Sequence, residues 1–284
     1  MADYIRDRAQ ASQRVDASLP EPVRGGAPEA TPLSSDSPDT YTVLGVPISI
    51  TSLDDASARI HRWARDDKGR FVFIREVAGL MATVDNPELM ELHKRASMVT
   101  PDGMPLVWLG KLKGKPVSRT CGPDLMNRVL SDSEASGLKH YFYGGKPGVA
   151  ETLRDSFVKR FPKLKVVGLG CPPFRPLTGA ELSEVAAEMN ASGADVVWIG
   201  ISSPKQEFLM RDLQPLVHCT MLGVGAAFDF HSGAVSRAPT WMQKSGLEWL
   251  YRLCSEPKRL WRRYLVQGPQ FVFRLMLSFM GAKG

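Results

Sequence analysis

The sequence predicts an α/β fold: a Rossmann-like, mainly parallel sheet with helices on both faces, continued by a C-terminal helical appendage. Apolar runs without polar alternation, such as FVFIREV (71–77) and ADVVWIGI (194–201), suit strands that are buried on both faces. Amphipathic helical patterns separate these runs, the alternation that builds parallel βαβ units. Beyond Pro239 the alternation stops and only helical patterns follow.

Taken in order, residues 1–40 hold five prolines and few large apolar side chains. Such a segment cannot offset its ordering entropy by burial, so a disordered leader is expected there. The sheet domain is expected over residues 41–239. YTVLGVPISI (41–50) reads as a strand and turn, FVFIREV as a strand, and PELMELHKRA (87–96) as a helix. A short apolar stretch at 97–99 follows. PDLMNRVLSDSEA (123–135) is helical, KHYFYGG (139–145) a strand and GVAETLRDSFVKRF (148–161) helical. LKVVGLG (164–170) is a strand, and TGAELSEVAAEMNASG (178–193) a helix with a glycine stop. After the strand at 194–201, PKQEFLMRDL (204–213) is helical and HCTMLGVGAAF (218–228) reads as the last strand. The appendage is expected over residues 240–284.

Length and composition narrow the class. A chain of 284 residues with 43% hydrophobic and 23% charged side chains can bury a sizeable core, which excludes fibrous and wholly disordered proteins. The cysteines, Cys121, Cys171, Cys219 and Cys254, form no CxxC pair, so neither a disulfide framework nor structural zinc is expected. The N-terminus lacks the apolar core of a signal peptide, and no apolar run reaches the roughly 18 residues of a membrane span. A cytoplasmic protein is expected. Between Arg252 and Gly284 lie seven Lys or Arg and one Glu, a balance equal to the whole formal net charge of +6. A neutral body with a basic tail points to an anionic partner: membrane, nucleic acid or phosphorylated ligand. Trp249, Tyr251, Trp261, Tyr264 and Phe271 interleave with those bases, and no nucleic-acid recognition pattern accompanies them. FVFRLMLSFM (271–280) is too short to span but apolar enough to lie at the headgroup boundary. A helix packed on protein, or an oligomer contact, is the plainer alternative.

In open parallel sheets, ligands bind at the carboxyl ends of the strands, and four polar or glycine-rich clusters fall at such ends. In TPDGMP (100–105), Asp102 sits on a turn, either as a capping carboxylate or as a general base. In YGGKPGVA (143–150), Gly144 and Gly145 let the backbone approach a ligand or simply make a tight strand-to-helix turn. Neither a Walker A spacing nor a complete GxGxxG is present. In GISSPKQE (200–207), Ser202, Ser203 and Lys205 at a helix start suit a diphosphate, and Gln206 and Glu207 can read a base or a sugar. In GAAFDFHSGAVSRAP (225–239), Asp229 and His231 are expected to point the same way from an extended piece. No third ligand or serine elbow accompanies them, and Arg237 is a candidate phosphate partner.

These clusters, in this order, resemble the WecG/TagA/CpsF glycosyltransferases (glycosyltransferase family 26) over residues 43–265. The likeness is densest in TPDGMPLVW, RTCGPDLM, YFYGGKPG, GISSPKQE, GAAFDFHSGAVSRAPTWMQKSGLEWLYRL and EPKRLWRRYL. The resemblance implies an inverting transferase that takes sugar from a UDP-sugar to an undecaprenyl-diphosphate-linked saccharide, without a metal or other cofactor. It implies Asp102 as the base, with Arg119 and Gln206 as active-site polar residues. Gly144, Gly145, Ser203 and Lys205 would lie around the nucleotide. The appendage would dock on the cytoplasmic face of the inner membrane and complete the site through Arg252, Arg259, Arg262 and Arg263. One departure stands out. Where the family commonly has Thr-x-Asn, often followed by Val-His-Gly, this chain reads Ile74-Arg75-Glu76-Val77-Ala78-Gly79. N-acetylmannosamine is therefore not assumed as the sugar; glucose or another sugar fits as well.

Inverting transfer needs one carboxylate to take the acceptor proton and positive groups to stabilise the leaving diphosphate. Asp102 can supply the first and Lys205, helix amides and a tail arginine the second. Two other classes share parts of the pattern. A nicotinamide-dependent oxidoreductase would share the sheet but needs the glycine fingerprint. A membrane-associated scaffold would explain the tail but not the polar clusters.

Overall fold

The computed structural model describes residues 36–66 and 69–281. The expected leader lies largely outside them. Its final residues are placed: Asp36 accepts a hydrogen bond from Trp63 Nε1 at 2.8 Å and pairs with Arg62 at 3.2 Å. A hairpin follows, β1 (Thr40–Val43) and β2 (Val46–Ser49), paired antiparallel through Leu44 and Gly45. Both turn residues have positive φ (49° and 83°), as a two-residue turn between right-twisted strands requires. Ser49 Oγ then accepts from the amide of Val99 at 2.9 Å, tying the hairpin to the main sheet.

That sheet has six strands: β3 (Phe71–Arg75), β4 (Met98–Pro101), β5 (Lys139–Gly144), β6 (Lys165–Gly170), β7 (Val196–Gly200) and β8 (Thr220–Gly223). Their order is β4-β3-β8-β7-β5-β6, and every pairing is parallel. The absence of polar alternation now has its cause. On one side Val72, Ile74, Phe142, Trp198 and Leu222 pack with α1 (Leu53–Trp63), and with α5 (Gly122–Ser136) and α6 (Val149–Arg160), named in chain order with the helices below. On the other, Phe73 lies 4.8 Å from the His93 ring. Both faces are thus covered, as in doubly wound sheets.

Local signals set the helix ends. The chain between β3 and β5 forms α2 (Val77–Asp85), α3 (Pro87–Arg95) and α4 (Met104–Leu112) before α5. Glu76 caps α2, and Asn86 caps α3 with Pro87 in its first turn. The helix α7 (Gly179–Ala191) opens on a capping box in which Thr178 and Glu181 exchange hydrogen bonds. Next come α8 (Lys205–Leu213) and α9 (Ala227–His231). The last strand is shorter than expected. It ends at Gly223, and Gly225, at φ +51°, turns the chain into α9 instead of letting the strand run on to residue 228.

The chain divides into two compact units between Ser236 and Arg237. The second unit is helical throughout: α10 (Thr240–Lys244), α11 (Glu248–Ser255), α12 (Pro257–Trp261), a π-helical turn at Arg262–Val266, and α13 (Gln267–Gly281). Among the described residues no helix is long and apolar enough to cross a membrane.

Candidate active site

All four clusters stand at carboxyl ends of strands of the parallel sheet, after β4, β5, β7 and β8. At the end of β4, the amide of Asp102 donates to the carbonyl of Arg75 at 2.7 Å, which holds the turn against the neighbouring strand. The residue capping α4 is Gly103, with no side-chain cap. The Asp102 carboxylate therefore has another partner: Arg119 Nη2 approaches Oδ1 at 3.3 Å while its Nε donates to the Asp102 carbonyl at 2.7 Å. Both side chains keep solvent access, 28% for Asp102 and 20% for Arg119. A partly open carboxylate beside a fixed cation at a strand end can exchange a proton with a ligand.

The departure from the family pattern resolves into three separate structural roles. Ile74 belongs to the apolar core, and Glu76 spends its carboxylate on the amides of Ala78 (2.5 Å) and Gly79 (2.9 Å). Arg75 instead enters the protein. It is ion-paired with Glu207, and both side chains are buried. Its Nη1 donates to Ser203 Oγ at 3.2 Å and its Nε to His93 Nε2 at 2.5 Å. Burial, and then the nearby Arg75 charge, push the His93 pKa down to about 3. The imidazole is therefore neutral, with Nδ1–H donated to the Leu89 carbonyl at 2.6 Å and Nε2 left to accept.

After β7 the Ser203–Pro204 peptide is cis and Lys205 begins α8. The expected pair of free hydroxyls is altered by this arrangement. Ser203 Oγ donates to Glu207 Oε1 at 2.9 Å besides accepting from Arg75, so its proton is committed inside the protein. The amides of Gln206 and Glu207 turn back to the carbonyls of Ser202 (3.1 Å) and Pro204 (3.2 Å). Lys205 is exposed beside them, at the positive end of the helix. Gln206 and Glu207 are buried, and the Gln206 amide nitrogen faces Glu207 Oε1 at 3.3 Å and the Gly223 carbonyl at 3.4 Å.

Gly144 has a requirement of its own. A Cβ there would lie 2.6 Å from the backbone of Gly200 on the adjacent strand, so close strand approach alone demands glycine. Gly145 donates its amide to the Gly200 carbonyl at 3.0 Å, joining the second cluster to the third. In the fourth cluster the expectation for Asp229 and His231 was wrong. They lie on α9, not on an extended piece, and residues two apart on a helix diverge. His231 Nε2 contacts the Pro123 carbonyl at 2.8 Å, and its ring packs 4.7 Å from Phe157. Among the described residues no three His, Cys, Asp or Glu side chains gather as a metal site.

Arg237, Arg252, Arg259, Arg262 and Arg263 all belong to the second unit. Within it Arg237 approaches Glu248 at 3.5 Å and Arg259 pairs with Glu256. Arg262 lies over the Trp261 ring (5.3 Å), Arg263 over Tyr264 (5.8 Å), and Trp249 packs 5.9 Å from Tyr264. The exposed apolar side chains of α13 include Phe273, Met276, Leu277, Phe279 and Met280.

Sequence reasoning passed over Arg75 and His93 as site residues. The signal was present in FVFIREV, because a cation in a strand buried on both faces must find an anion. A family model described as the glycosyl transferase WecG/TagA/CpsF family matches residues 41–283. With that match along nearly the whole described chain, this protein belongs to the WecG/TagA/CpsF family of glycosyltransferases, which act in cell-envelope polymer synthesis on a sugar donor and an acceptor.

Proposed function

We propose that the protein transfers a hexose from a UDP-sugar to a polyprenyl-diphosphate-linked saccharide with inversion, using Asp102 as general base. The observation that carries this reading is the Asp102 carboxylate, held by Arg119 and partly open to solvent at the carboxyl end of β4. In the reaction an acceptor hydroxyl gives its proton to Asp102 as its oxygen attacks the anomeric carbon. The bond from that carbon to the UDP oxygen breaks, and UDP leaves with the electron pair. Lys205 and the positive end of α8 offset the charge that develops on the diphosphate. Compensation of this kind makes a divalent cation dispensable.

The second unit also holds the protein on an anionic membrane surface. The exposed apolar side chains of α13 and the basic excess after Arg252 support this. Each base near such a surface contributes about 1 kcal/mol, an attraction that salt weakens.

A panel of UDP-sugars assayed with a synthetic polyprenyl-diphosphate monosaccharide tests the reading. One donor is expected to give a disaccharide product of inverted configuration, with undiminished yield in EDTA. Retained configuration, or no product and no UDP release from any donor, overturns it. Flotation with phosphatidylglycerol vesicles tests the membrane contact; binding that is indifferent to salt and lipid charge counts against it.

A further inference from the structure

Arg75 is a buried cation with three acceptors drawn from three separate elements. Nε reaches His93 on α3, Nη1 reaches Ser203 after β7, and Nη2 reaches Glu207 on α8. The site is built for a planar fork, since a lysine ammonium in the same place cannot direct three N–H bonds at these angles. His93 fits the same design, because its neutral tautomer presents Nε2 as an acceptor.

Two oxygens are left over. Gln206 Oε1 and Glu207 Oε2 are buried and have no hydrogen-bond partner among the described residues. The Gln206 amide cannot be turned to remove its orphan, because its nitrogen already faces Glu207 Oε1 and the Gly223 carbonyl. Gln206 Oε1 also lies 3.7 Å from where a Cβ on Gly225 would stand, at the turn that follows β8. Buried acceptors of this kind are costly unless a donor meets them. Both orphans only accept, they sit on adjacent residues, and they lie at the ligand-binding edge of the sheet. A ligand that brings hydroxyl donors satisfies such a pair.

We propose that Arg75 is a positioning residue for donor binding, an inference that rests on the 202–207 segment being the donor site. By taking Glu207 Oε1 and anchoring Ser203, Arg75 fixes the first turn of α8. Glu207 Oε2 and Gln206 Oε1 then accept from hydroxyls of the donor, on its ribose or its sugar. The residue that interrupts the family pattern thereby becomes part of how this chain holds its donor.

The test uses the full chain carrying Arg75→Lys and the double variant Arg75→Met/Glu207→Gln, which removes both buried charges together so that neither is stranded. Thermal unfolding establishes which variants fold. Titration calorimetry with UDP, 2′-deoxy-UDP and the UDP-sugar, together with donor and acceptor KM and kcat, reads the effect. The folded double variant is expected to weaken donor binding by about tenfold or more, the worth of one or two hydrogen bonds, while the acceptor KM is unchanged. Arg75→Lys is expected not to rescue it. Weakening toward UDP that disappears with 2′-deoxy-UDP assigns the ribose; weakening confined to the UDP-sugar assigns the sugar. A folded double variant with wild-type donor affinity and KM overturns the inference while leaving the donor site intact. Wild-type protein that binds no UDP overturns the donor-site reading, and this inference falls with it.

Discussion

Two arginine–carboxylate pairs stand at the ends of adjacent strands and differ chiefly in access. Arg75 and Glu207, joined from β3 to α8, are 2% and 0% exposed; Arg119 and Asp102, after β4, are 20% and 28% exposed. Burial decides what each can do. Charges taken out of water depend on each other, so the sealed pair holds the architecture and offers a ligand only the Glu207 oxygen that Arg75 leaves unbonded. The open pair keeps a carboxylate that a ligand can reach, with its orientation set through the Asp102 carbonyl as well as its side chain. The backbone joins them, since the Asp102 amide donates to the Arg75 carbonyl at 2.7 Å. One pair thus builds the edge on which the other acts.

The sharpest way to break this contrast is to neutralise the open pair. Asp102→Asn is expected to lower turnover by roughly 10²–10⁴, the usual worth of a general base, while stability and UDP affinity stay near wild type. Transfer assays beside a urea melt read both quantities, and near-normal turnover would remove Asp102 from the mechanism. The sealed pair should respond in the opposite sense. Glu207→Leu leaves Arg75 buried and unpaired and is expected to cost about 3–5 kcal/mol of unfolding free energy. Adding Arg75→Met should recover most of that loss in urea titrations. A single variant as stable as the parent would show that the two charges are not coupled.

Acid should erode the buried core through its histidines, of which His93 touches the sealed pair. The His93 pKa falls from the ordinary 6.5 to about 3, and that of His140, buried and bonded to Trp198 Nε1 at 3.1 Å, also falls to about 3. Their stability contribution is complete above pH 6.5. It declines as pH falls toward 3, because only the unfolded chain takes up the protons in that window. From pH 6 to pH 5 each histidine is expected to remove about 1 kcal/mol, and His93→Gln should flatten the slope by its share. A stability profile unchanged by the substitution would contradict this account of the imidazole. The smallest effect is reserved for the exposed cation at the start of α8. Lys205→Ala should raise the UDP dissociation constant about three- to tenfold without changing stability, since an exposed charge near a phosphate contributes about 1 kcal/mol. Calorimetry showing unaltered UDP affinity would take Lys205 out of the diphosphate site.

Much of the site's scaffold could be read from residues in isolation. TPDG, GGKPG and SSPKQE were placed at strand ends because apolar runs preceded them, and the structure puts each there. The reading failed where a local pattern admitted two conformations. GVGAAFDFH looked like a continuing strand, yet Gly225 at φ +51° ends it, and Asp229 and His231 diverge on a helix. The partners of Ser203 were equally out of reach: its hydroxyl donates to Glu207 and accepts from Arg75. No feature of SSPKQE could reveal that, because the competing acceptor is oriented by an arginine 132 positions earlier in the chain.

By itself the sequence determined the parallel sheet, the helix ends and the basic, aromatic character of the last segment. Those depend on periodicity, caps and composition, which act within a few residues. The capping box of Thr178 and Glu181 is of this kind. Tertiary structure alone decided the strand order β4-β3-β8-β7-β5-β6, which sets β3 between β4 and β8. That order brings the ends of strands distant in sequence into one edge. It decides that Arg75, at the end of β3, meets Glu207, on the helix that follows β7. A buried charge finds its partner through packing in space, and the spacing of residues along the chain does not encode which anion will be there.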